Sequence, residues 1–226
     1  MIVQIYTMQT PEEAVAVARL GVDHIGVSPA HHDLPGEVDY ETARAIFRAL
    51  PPNVTKVALT VDEDLSAIVE MVQATEPDIV HLCGLMGAVP PEAVRELRGM
   101  LPQGVRIMQA ISVAGPEAIE DAQRYADVAD MLILDTQAPD IPGVGASGKT
   151  HDWNISRAIV QAVKIPVILA GGLSPENVAD AIRFVRPWGV DSLTHTNEQL
   201  PDGRFRKDLE RVRQFVQAVR EVEREL

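Results

Sequence analysis

Residues 131–153 read Met131-Leu-Ile-Leu-Asp-Thr-Gln-Ala-Pro-Asp-Ile-Pro-Gly-Val-Gly-Ala-Ser-Gly-Lys-Thr-His-Asp-Trp153. Met131–Leu134 form an apolar run, Asp135 closes it, a loop with three glycines follows, and Trp153 starts a helical pattern. A run apolar on both faces suits a strand buried in a parallel sheet. A lone carboxylate at the end of such a strand is costly unless it has partners or a task. Asp135 is therefore the first candidate for acid–base chemistry on a small ligand.

The same alternation extends outward in both directions. Strand-like runs fall at Ile2–Tyr6, His24–Ser28, Thr55–Val61, Ile79–Leu82, Val105–Ile111, Val167–Ala170 and Val190–Thr194. Amphipathic segments lie between them, such as Glu12–Leu20, Tyr40–Leu50, Leu65–Ala74 and Glu92–Met100. Thr10-Pro11-Glu12, Pro90-Pro91-Glu92, Gly115-Pro116-Glu117 and Ser174-Pro175-Glu176 punctuate helix starts. A proline in the first turn wastes no donor, and the acid meets the positive end of the helix dipole. Thr10 and Ser174 are the expected N-caps. Eight strands and eight helices, the last at Lys207–Glu225, predict an α/β chain folded as a (β/α)8 TIM barrel, one domain over residues 1–226. An open doubly wound sheet is the alternative, weakened because no Gly-x-Gly-x-x-Gly follows the first strand.

With 46% hydrophobic residues the chain can bury a large core, and a net charge of −13 argues against a nucleic-acid partner. The single cysteine, Cys83, excludes an internal disulfide and reads as a small buried hydrophobe in an apolar run. No apolar run approaches the ~20 residues of a membrane span. Met1–Tyr6 lacks a basic start and is too short for a leader. A cytoplasmic protein with no membrane partner is the expectation.

In such a barrel the chemistry lies at the C-terminal ends of the strands. Strand 7 ends in Ala170-Gly171-Gly172-Leu173-Ser174-Pro175-Glu176-Asn177-Val178. Paired glycines admit a ligand close to the backbone, and the next helix offers free amides, the usual seat of a phosphate. This string resembles the Ala-Gly-Gly-Leu-x-Pro-Glu-Asn-Val segment of the phosphoribosylanthranilate isomerase family. Val185–Asp191, Lys207–Glu210, Gly21–Val27 and Ala49–Pro52 are similar to the same family. The likeness covers about the whole chain and is strongest after residue 130.

The resemblance implies a (β/α)8 barrel and an aldose-to-ketose shift on a phosphorylated sugar. An acid opens the sugar ring, and a base removes the proton at carbon 2. Asp135 matches the family's general acid, and Asp191 matches a second functional aspartate on strand 8. Other motifs depart. The family's Lys-Ile-Cys-Gly, which holds its catalytic cysteine, reads Gln4-Ile5-Tyr6-Thr7. The Ser-Pro-Arg region, whose arginine grips the anthranilate carboxylate, reads Leu34-Pro35-Gly36-Glu37. Gln-Leu-His-Gly on strand 4 becomes His81-Leu82-Cys83-Gly84, and Ser-Ser-Gly-Val-Glu after strand 8 becomes Leu193-Thr194-His195-Thr196-Asn197.

A neutral tyrosine, with an ordinary pKa near ~10, is a poor base but a good donor to a developing oxyanion. Loss of the arginine, with Glu37 close by, disfavours an anionic aromatic acid. The expectation is an isomerase of this type with an altered substrate. Asp135, Tyr6, His81 and Asp191 would be catalytic, and Gly171, Gly172, Thr194, His195 and Gly148 would bind phosphate or substrate. A Schiff-base aldolase is disfavoured because Lys56 and Lys164 belong to the wrong face, Lys149 to a loop and Lys207 to the last helix.

Two alternatives stand beside it. One is a divalent-metal-dependent hydrolase or lyase with His81, Asp135 and His195 as ligands, helped by His31-His32-Asp33. Residues 191, 193 and 195 share a parity, so His195 would point inward if strand 8 runs that far. The other is a non-catalytic phosphometabolite-binding protein. Outside the metal reading no cofactor is expected. The expected partner is a small phosphorylated metabolite, and the chain is expected to be a monomer or homodimer.

Overall fold

A computed structural model of the chain describes residues 1–30, 34–136, 144 and 150–226. Eight parallel strands close a barrel in sequence order, with β1 paired to both β2 and β8. The strands are β1 Ile2–Ile5, β2 His24–Val27, β3 Thr55–Thr60, β4 Ile79–Leu82, β5 Arg106–Ser112, β6 Met131–Asp135, β7 Val167–Leu169 and β8 Gly189–Ser192. The intervening helices are α1 Pro11–Ala18, α2 Tyr40–Ala49, α3 Leu65–Thr75, α4 Pro91–Met100, α5 Ala118–Ala126, α6 Trp153–Ala162 and α7 Val178–Val185. After β8 come a 3-10 turn at Thr194–Thr196, a hairpin of β9 Asn197–Gln199 and β10 Phe205–Lys207, and α8 Leu209–Glu223.

Helix starts follow local chemistry. Thr10 accepts from the Glu13 N–H, Asp39 from Thr42, Asp64 from Ala67, and Asp208 from Glu210 and Arg211. Each satisfies orphan donors of a first turn. Ser174 is not the cap of α7. It belongs to a preceding turn in which its hydroxyl accepts from Glu176 N–H, and Asn177 occupies the cap position.

Strand parity divides the apolar residues into two cores. Val3, Ile5, Leu132 and Leu134 face outward into the layer shared with the helices. Tyr6, Ile79, Cys83, Met131 and Ile133 fill the inner cluster. A period of two therefore carries Gln4 inward with Tyr6, His81 inward with Ile79, and Asp135 inward with Ile133. At the opposite rim, aspartates serve the framework. Asp23, Asp78 and Asp130 accept from the backbone N–H of Val3, Lys56 and Ile107, at 2.8, 2.9 and 2.7 Å, pinning the start of β1, β3 and β5. Among the described residues no helix is long and apolar enough to cross a membrane.

Two expectations near the C-terminus need correction. β8 stops at Ser192, so strand parity does not carry on to His195. Lys207 belongs not to the last helix but to β10, where it is buried. Its Nζ donates to the Tyr6 carbonyl and, at 2.5 Å, to Asn197 Oδ1, which ties the exit of β1 to the segment after β8.

Candidate active site

Two adjoining cavities open at the C-terminal rim of the barrel. The first, about 610 Å3, is bounded by Tyr6, Thr7, Ser28, Leu34, Pro35, His81, Cys83, Asp135, Asp191 and Leu193, with Leu59, Val61, Ile133 and Val144 completing an apolar wall. The second, about 270 Å3, is lined by Gly171, Gly172, Leu173, Ser192, Thr194 and His195. Asp135, Asp191 and Leu193 line both, so the two carboxyls stand at the junction.

Burial pushes the Asp135 carboxyl up to about 7, against which the Thr136 N–H donates to Oδ1 at 2.6 Å. Burial, and then the charge of Asp135, push Asp191 up to about 8, opposed by a hydrogen bond from Gln4 and by Lys207. Two interacting carboxyls share their titration steps, so near neutrality the pair holds a proton that neither owns outright. That supplies a carboxylic acid and a carboxylate side by side, the requirement for moving a proton within a small molecule.

Tyr6, just after β1, and His81 on β4 reach across the inner core, and Tyr6 Oη lies 2.9 Å from His81 Nδ1. Burial holds His81 neutral by lowering it to about 3, and raises the Tyr6 phenol well above its ordinary value. Tyr6 is thus a protonated phenol, not a base. Its ring lies over Gly26, where a Cβ would come within 2.2 Å of the ring. No larger side chain fits there, so β2 and Tyr6 are matched.

Cys83 was legible only as core, yet it lines the first cavity. Its Sγ donates to the Val144 carbonyl at 2.7 Å, and burial with the nearby Asp135 raises its pKa, so it stays a thiol. Its inward aim follows from sharing parity with His81, two residues earlier. Gln4, two residues before Tyr6, was missed for the same reason.

The floor of the second cavity is the turn after β7. Gly171 and Gly172 have φ of +82° and +64°, a conformation that disfavours side chains. A Cβ on Gly171 would also come within 2.8 Å of His151 Nδ1. His151 bridges Thr136 Oγ1 at 3.2 Å and Ser156 Oγ at 2.7 Å, fastening α6 to the exit of β6. Asn177 clamps the turn by accepting from Ser174 N–H and donating to the Gly172 carbonyl. Thr194 and His195 reach this cavity from the 3-10 turn, not from an extended β8. Gly148, Lys149 and His31-His32-Asp33 lie outside the described residues.

A model of the N-(5'-phosphoribosyl)anthranilate (PRA) isomerase family matches residues 3–218 of this chain. The chain belongs to that family. The N-(5'-phosphoribosyl)anthranilate isomerase of Methanocella arvoryzae is 38% identical over 218 residues, covering 96% of this chain and 97% of its own. The phosphoribosylanthranilate isomerase structure from Thermotoga maritima superposes with a TM-score of 0.81 at 27% identity, covering 98% of this chain and 100% of that one. A phosphoribosylanthranilate isomerase in complex with reduced 1-(o-carboxyphenylamino)-1-deoxyribulose 5-phosphate superposes at 0.79 with 26% identity and coverage of 98% and 100%.

These relatives do not support the expected change of substrate, nor a hydrolase, lyase or non-catalytic binder. The structure removes one reason for that expectation. Glu37 does not line the first cavity, and its carboxylate accepts from the Leu34 N–H at 2.9 Å within its own loop. The metal reading also lacks its ligand set. Among the described residues no three His, Cys, Asp or Glu side chains are arranged to hold a metal ion. His81 turns Nδ1 to Tyr6, and His195 sits at the second cavity while His81 lines only the first.

Proposed function

We propose that this chain is a phosphoribosylanthranilate isomerase, carrying out the aldose-to-ketose shift on its phosphorylated aminosugar without a cofactor. The junction of two cavities at one carboxyl pair carries this reading. The glycine turn, Thr194 and His195 bind the phosphate in the smaller cavity. The apolar wall of the larger cavity takes the aromatic ring. Thr7 and Ser28 hydroxyls, 3.2 Å apart, are neutral donors available there for the aryl carboxylate. The carbons that exchange hydrogen then lie against Asp135 and Asp191.

Asp135 delivers its proton to the ring oxygen and opens the furanose to the iminium. Asp191 accepts the proton from carbon 2, giving the enolamine, which tautomerises to the ketose. Tyr6, held by His81, donates a hydrogen bond to the oxygen that gains electron density. Thus the loss of a cysteine base from β1 is offset by a second carboxylate.

The test is turnover of N-(5'-phosphoribosyl)anthranilate by the purified protein and by Asp135→Asn and Asp191→Asn. The parent is expected to form the ketose, and each variant to lose roughly 10²–10⁴ in kcat, the usual worth of a proton-transfer group. An inactive parent, or a fully active Asp135→Asn, defeats the assignment.

A further inference from the structure

One interior layer of the barrel places three polar side chains in register on adjacent strands. Gln4 on β1 pairs with His24 on β2 and with Asp191 on β8. His24 Nδ1 lies 3.1 Å from Gln4 Oε1, and Gln4 Nε2 donates to Asp191 Oδ1 at 3.1 Å. All three are buried, Gln4 completely. The direction of the chain is fixed by valence. An amide oxygen only accepts, so the His24 nitrogen facing it carries the hydrogen. The opposite end of the same amide then presents N–H, never oxygen, to Asp191.

We propose that Gln4 and His24 are positioning residues for the proton-accepting carboxyl: His24 locks the Gln4 amide with its N–H toward Asp191, which favours the ionised form of that carboxyl. This rests on the isomerase reading of the pair. A hydrogen bond donated to a carboxylate favours the charged form. Each carboxyl accepts one donor, from a different source. Asp191 receives a donor from a neighbouring strand and the attraction of buried Lys207. Asp135 receives the N–H of the next residue in its own chain.

The other groups around Asp191 do not replace the amide. From β6, Asp135 opposes its ionisation. Tyr6, just after β1, and Cys83, just after β4, line the same cavity, both raised and both uncharged. His195 lines the second cavity beside it, and Lys207 donates to the Tyr6 carbonyl and to Asn197. His24 itself stays neutral, since burial lowers it to about 4.

The experiment is a carboxyl titration by NMR of the whole protein with 13C-labelled aspartate, assigned with Asp135→Asn and Asp191→Asn. Gln4→Met, of similar volume but without a donor, should raise the Asp191 midpoint by about one pH unit. His24→Phe leaves the amide unlocked and should move it the same way, and His24→Gln, which restores an N–H donor, should return it toward the parent. His24→Phe carries the test if Gln4→Met does not fold. An unmoved Asp191 midpoint in the folded variants overturns the proposal. Neither readout needs turnover. An inactive parent with a shifted midpoint would sink the isomerase reading alone, and an active parent with an unshifted midpoint would sink this one alone.

Discussion

Replacing Asp135 by asparagine should stabilise the fold at alkaline pH while disabling the site. The reason is linkage. The Asp135 carboxyl is raised from 3.8 to about 7 in the folded protein. Between those values the folded state binds more protons than the unfolded one, so stability falls as pH rises through the window. At about pH 8.5 both states are ionised and the folded state bears the full penalty. A gap of roughly 3 pH units corresponds to roughly 4 kcal/mol at 1.36 kcal/mol per unit. At about pH 5 the folded carboxyl is still neutral, and the penalty is roughly 2 kcal/mol or less. Asp135 keeps partial access to solvent through the cavity, so these are upper figures. Relief of Asp191, coupled to it, adds in the same direction. The Asn side chain keeps an oxygen for the Thr136 N–H, and any mispairing of its amide is common to both pH values. The advantage of the variant over the parent should therefore grow by roughly 2–3 kcal/mol between about pH 5 and about pH 8.5, a Tm difference of roughly 4–12 °C for a chain of this size. Scanning calorimetry of both proteins at the two pH values measures it. An equal Tm difference at both, or a variant less stable than the parent only at alkaline pH, would refute the claim that a buried, raised carboxyl sits at this rim.

Two further outcomes follow from the cavity walls. Tyr6→Phe removes the partner of His81 Nδ1, whose Nε2 has no hydrogen-bond partner among the described residues, and should cost roughly 1–3 kcal/mol of stability in urea unfolding and about tenfold or more in kcat. Unchanged kcat would leave Tyr6 as core filling. Gly171→Ala meets both a φ of +82° and His151 Nδ1 at 2.8 Å, so the turn must shift. It should weaken competitive inhibition by inorganic phosphate at least severalfold, while Gly203→Ala, also at positive φ but with nothing within 4 Å, should leave that inhibition unchanged. Equal inhibition constants in parent and Gly171→Ala would remove the glycine turn from the phosphate site.

The barrel could be read from the chain because its causes are local or periodic. Apolar runs such as Met131–Leu134, Pro-Glu helix starts and strand spacing act within a few residues, and β1 to β8 fall within a residue or two of the runs that predict them. Asp135 was legible because a carboxylate at the end of an apolar run is energetically conspicuous. The glycine turn was legible because only glycine tolerates its backbone. Lys207 was misassigned because the helical periodicity of α8 runs back into it, while Asp208, the true cap, starts the helix at Leu209. The hairpin of β9 and β10 was missed because each strand has three residues, too few to display alternation.

Sequence by itself determined the βα rhythm and the carboxyl at the end of β6. Tertiary structure alone decided that Gln4, His24 and Asp191 form one hydrogen-bonded row, that Glu37 turns to its own loop, and that Cys83 shares a cavity with Tyr6. The physical reason is that periodicity fixes which face a side chain takes, but barrel closure and register fix what it meets there. Charge and protonation at this rim depend on those meetings, and the meeting residues are separated by up to 187 positions along the chain.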